Sequence, residues 1–103
     1  MRRRGRFSDL IGRQLDLFLE EEAALVKDCD QALARYNAAD RGDAEEAYGD
    51  YVDLVESGAE ILADMRDRYA AALGDEAAEA YEAEFNRTVA KRLPSFALVI
   101  ENR

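Results

Sequence analysis

Apolar residues recur along this chain in steps of three and four, the spacing of one face of an α-helix. From Phe7 to Asn37 the positions Ile11, Leu15, Phe18, Glu22, Leu25, Cys29, Ala32 and Tyr36 alternate such steps. They form a seven-residue repeat with one polar member, Glu22. Leu10, Leu17 and Leu33 widen the stripe beyond a two-helix seam, as contact with more than one neighbour requires. The spacing predicts a first helix over 7–37, with Ser8 and Asp9 at its start.

Ala38-Ala39-Asp40-Arg41-Gly42-Asp43 interrupts the pattern. Gly42 suits a left-handed helix end, and Asp43 a following N-cap with Glu46 at capping-box spacing. A second helix is predicted over 44–73, with the seam Tyr48, Tyr51, Val55, Gly58, Leu62, Met65, Tyr69 and Ala72. Gly58 on that seam costs about 1 kcal/mol of helix propensity relative to Ala. The position is read either as simple tolerance or as a point of close approach.

Gly74-Asp75 is a second break of the same kind. A third helix is predicted over 76–92, with Ala77, Tyr81, Phe85, Thr88 and Val89 on one face. Pro94 ends it. The tail Phe96-Ala97-Leu98-Val99-Ile100 then docks as a short helix with Pro94 in its first turn, or pairs with another chain.

Helix lengths decide the architecture. At 1.5 Å per residue the first two helices reach about 45 Å and the third about 25 Å. Equal arms on a short loop form an antiparallel hairpin. The expected fold is all-α: a long helical hairpin, a shorter third helix making a three-helix bundle, and an apolar tail over 94–103. The third helix covers only the half of the hairpin near the chain's start. Tyr36, Tyr48, Tyr51 and Val55 on the other half, with Phe96, Val99 and Ile100 of the tail, are therefore the expected interface residues.

Composition narrows the chemistry. The chain has 103 residues, a net charge of −9, one Cys and no His. Without His there is no Ser–His–Asp or Cys–His triad, no His-ligated zinc and no imidazole proton shuttle. A Gly-rich phosphate loop, a Cys-x-x-Cys pair and a Gly-x-Ser-x-Gly elbow are absent as well. No enzymatic activity and no cofactor are expected. Cys29, flanked by Leu25, Val26, Ala32 and Leu33 at helical spacing, reads as a buried, inert thiol. A lone Cys fits a reducing compartment, and the absence of an apolar 20-residue run argues against a membrane span, so the expected location is cytoplasmic.

Charge is unevenly placed. Residues 1–13 carry +4 and residues 14–103 carry −13. Arg2, Arg3, Arg4 and Arg6 form a basic arm over 1–6, the candidate contact for nucleic acid or an anionic membrane. Among the acidic residues only Glu22 projects from a predicted seam, which makes it the one candidate ligand for a carboxylate-only metal site. The expected function is a non-enzymatic helical protein–protein interaction module that binds itself or another helical protein. An arm-mediated nucleic-acid or membrane accessory and a carboxylate-only metal-binding bundle are the alternatives.

Overall fold

The computed structural model describes residues 5–103 and is all-α among them. Its helices are α1 (Ser8–Glu21), α2 (Ala23–Ala38), α3 (Ala44–Ala70), α4 (Asp75–Arg92) and α5 (Ala97–Glu101), with a 3₁₀ turn at Pro94–Phe96 before α5.

The expected first helix is two helices. The break falls at Glu22, whose φ of −110° and ψ of 30° leave the helical region. Its N–H still donates to the Phe18 carbonyl, and its own carbonyl accepts from Val26 N–H. The backbone ladder therefore runs through a bend. On either side of it the stripe keeps its period: Ile11, Leu15 and Phe18 are buried in α1, Cys29 and Ala32 in α2. The bend divides their partners. α2 packs along α3 as an antiparallel hairpin, whereas α1 packs against α4.

Both loops correct the glycine expectations. No described glycine has positive φ. Asp40 organises the first loop: its Oδ1 accepts from Gly42 N–H at 3.0 Å and Asp43 N–H at 3.1 Å, and its carbonyl accepts from Ala44 N–H. A short acidic side chain that bonds the backbone two and three residues on makes this turn without a left-handed residue. Asp43 makes no side-chain cap. Gly74 is extended (φ −67°, ψ 161°) and stands at the N-cap of α4, after α3 has already tightened through Ala72 and Leu73.

The core gathers where α1, the C-terminal half of α3, α4 and the tail meet. Ile11, Leu15, Leu62, Tyr81, Phe85, Val89 and Ile100 are fully buried. The expected third-helix face is the observed one, with Tyr81, Phe85 and Val89 inside. On α3 the buried set is Ala47, Val55, Gly58, Ala59, Leu62, Ala63, Arg66 and Ala70. Val55, Gly58 and Leu62 of the expected seam are among them. Met65 and Tyr69 are half-buried and Ala72 is exposed. The seam broadens because α3 is packed by α2, α4, α5 and the 3₁₀ turn.

Polar contacts fix α1 on α4 along the bundle. Phe7 N–H, at the start of α1, donates to Glu84 Oε1 at 3.1 Å. This satisfies one of the donors that a helix start leaves open. Tyr81 donates from its hydroxyl to Gln14 Oε1 at 2.8 Å. At the far end Arg92 pairs with Asp16 at 2.7 Å.

Candidate interaction surface

The tail docks on its own chain. Pro94 begins the 3₁₀ turn, and the Phe96 ring enters a notch on α3 at Gly58. A Cβ on Gly58 would lie 2.5 Å from Phe96 Cε1 and 2.9 Å from Cζ. The residue thus admits a ring rather than a second backbone. Phe96 meets Phe18 edge-to-face, with ring centroids 5.9 Å apart. Ile100 is buried farther along. Phe96 and Ile100, expected at a partner surface, are therefore core residues of this chain. Val55 is also nearly closed off.

The tail is held by a buried cation that the apolar pattern did not reveal. Arg66 is only 4% exposed. Its Nε donates to Asp67 Oδ1 at 2.8 Å. Its Nη1 donates to Asn86 Oδ1 at 2.9 Å and to the Ile100 carbonyl at 3.1 Å. A guanidinium loses hydration when buried and requires such acceptors. It also places positive charge at the C-terminal end of α5, where the last carbonyls face outward. The available sequence signal is positional: Arg66 continues the buried run Val55, Ala59, Leu62 in steps of four and three.

Outside this anchored layer lies a shallow apolar groove of about 360 Å³, lined by Tyr48, Tyr51, Val52, Val55, Pro94, Ser95, Leu98 and Val99. Leu98, on its rim, is 77% exposed. Tyr48 is 52% and Tyr36 37% exposed. Their rings touch, with centroids 5.3 Å apart. Four of the expected interface residues, Tyr48, Tyr51, Val55 and Val99, are thus gathered in one groove, and Tyr36 adjoins it through Tyr48. Leu98 joins them on the outer face of α5, a position the pentapeptide's uniform apolarity concealed.

The remaining candidates lie apart. Glu22 is half-buried at the α1–α2 bend rather than on a seam. No group of His, Cys, Asp or Glu suited to a metal ion occurs among the described residues. Arg2, Arg3 and Arg4 lie outside the described residues. Arg6 is exposed, with its guanidinium over the Phe7 ring, 5.1 Å from the centroid. The groove between α2 and α3 is polar, lined by Asp28, Asp50 and Asp53 around Arg35; Arg35 lies 3.5 Å from Asp50.

Among the described residues, two side chains have displaced proton affinities, and both are core members. Burial pushes the Cys29 thiol up, with Asp30 and Asp28 adding to it. Burial also pushes the Tyr81 hydroxyl up, partly opposed by its bond to Gln14. Both groups are held in their neutral forms at neutral pH. No described helix is long and apolar enough to cross a membrane. Comparison of the chain with protein-family models, with curated proteins and with solved structures finds no match.

Proposed function

We propose that the chain is a helical protein–protein interaction module that associates with a second copy of itself through the groove around Tyr48 and Leu98. One observation supports this most: an uncharged apolar surface on a chain of net charge −9. Two acidic copies repel over most of their surface, so close approach favours a face without carboxylates. Residues 94–100 carry no charge, nor do Tyr48, Gly49, Tyr51, Val52 and Val55. The exposed Leu98 stands beside the groove that it helps to line. A two-fold axis through such a patch sets each Leu98 into the other copy's groove, the self-complementarity of an isologous contact. Exposed tyrosines with apolar bodies and polar tips suit that rim.

Analytical ultracentrifugation tests the reading. The expected species has twice the 11.6 kDa chain mass, and Leu98→Glu should shift it to monomer without loss of helicity. A wild-type chain that stays monomeric throughout the micromolar range overturns it.

A further inference from the structure

Pro94 closes α4 because it lacks an N–H and cannot extend the helical ladder. The reversal is concentrated at Leu93, with φ −134° and ψ 62°. Beyond this hinge, two buried side chains and one charged hydrogen bond anchor the segment: Phe96 at Gly58, Ile100 in the core, and the Ile100 carbonyl on Arg66. Between the anchors the segment is half-exposed or open, and Leu98 faces water.

The seat for this segment is built wholly by the preceding helices, and its fitting occupant is the chain's own residues 94–101. An identical segment from a second copy makes the same contacts; only the path through the hinge differs. We propose that residues 94–103 are an exchangeable strap, and that in the self-associated protein each strap occupies the seat at Gly58 and Arg66 of the other copy. This deepens the self-association reading and rests on it. Exchange retains both anchors and the Arg66 bond for each copy, and it brings together two uncharged faces that a single copy leaves in water. The closed strap competes at a fixed effective concentration, so exchange rises with protein concentration.

A complementation experiment on the full chain tests the exchange. Phe96→Ala leaves a sound seat but a defective strap; Gly58→Val leaves a sound strap but a filled seat. In each variant alone every strap–seat pair carries the defect, in cis and in trans alike, so neither variant gains a sound pair by exchange. Their equimolar mixture should yield a dimer containing one chain of each, identified by its mass in native mass spectrometry, because only the mixed pair holds a matched strap and seat in trans. Two folded variants that form no mixed dimer overturn the exchange. A mixed dimer present in no more than its statistical share beside the two single-variant dimers also overturns it, while leaving outer-face association intact. A mixed dimer from variants of a monomeric wild-type chain would instead support the strap and overturn the reading it rests on. If either variant loses its helical circular dichroism, a synthetic peptide of residues 94–103 is titrated into the wild-type dimer. Dissociation is expected, and a dimer unchanged at millimolar peptide overturns the exchange.

Discussion

The two halves of this molecule share the helix α3 yet differ in how they are held. In the bundle half, α3 is packed by α4, α5 and the 3₁₀ turn, with α1 packed on α4. Its buried residues include Phe18, Tyr81, Phe85, Leu62 and Ile100. In the hairpin half, α3 has α2 along one side and meets the tail only across the shallow groove at Tyr48, Tyr51 and Val55. Its buried residues are Cys29, Ala32, Ala47 and Val55, all small. Two helices alone leave each other's outer faces in water, and small side chains remove little area from it. The radius of gyration of 15.4 Å exceeds the roughly 13 Å of a compact domain near 100 residues. Stability is therefore concentrated in one half, and the projecting half is left to present Tyr36 and Tyr48.

The sharpest way to break this contrast is to truncate one aromatic in each half. Phe85→Ala should lower unfolding free energy by about 3–5 kcal/mol, measured by urea titration. Tyr48→Ala, measured at a concentration where the chain is monomeric, should change it by no more than about 0.5 kcal/mol. Equal losses would mean that the hairpin half is as firmly packed as the bundle.

Arg66→Met is a smaller perturbation within the bundle half. It keeps much of the aliphatic volume but strips the donors from Asn86 Oδ1 and the Ile100 carbonyl. A loss of about 1.5–3 kcal/mol is expected, the range for hydrogen bonds to charged groups. Amide exchange should accelerate in α5 more than in α2, since only the first is tied to this side chain. Uniform acceleration would argue against a local tether.

Alkaline pH gives the mildest test, with one reporter in each half. The folded state holds the protons of Cys29 and Tyr81 more tightly than the unfolded chain does. Above the ordinary thiol value near 9.0 and phenol value near 10.0, the unfolded state binds fewer protons, so stability falls as pH rises. Thermal melts from pH 8 to 11 should show this decline. Cys29→Ala should flatten its first part, and Tyr81→Phe its second. A melting temperature independent of pH over that range would show that neither site stays closed.

Much of this arrangement is legible in the sequence because heptad spacing and packing agree. Ile11, Leu15, Phe18, Cys29 and Ala32 lie on the expected stripe, and Tyr81, Phe85 and Val89 on the expected face. What escaped depends on contacts between distant segments. The bend at Glu22 has no Pro or Gly to announce it, and the backbone ladder continues through it. Burial of Arg66 makes sense only once the Ile100 carbonyl, 34 residues on, has arrived. Gly42 and Gly74 carry the local signature of left-handed helix ends, but the Asp40 side chain and an extended Gly74 do the turning instead. Tyr48, Tyr51, Val55 and Val99 were legible as a group because an incomplete third helix leaves that end uncovered. Phe96 and Ile100 were not separable from Leu98 and Val99 in a run where every residue is apolar. The notch at Gly58 and the anchor at Arg66 decide which of them turn inward.

The bond from Phe7 N–H to Glu84 joins residues 77 positions apart, and it bears on the order of assembly. Helices α2 and α3 meet through a short turn, so their contacts close small loops and form early. The start of α1 receives the Glu84 carboxylate from α4. Synthesis makes α1 well before α4, so Ile11, Leu15 and Phe18 wait unsheltered until that later helix has followed.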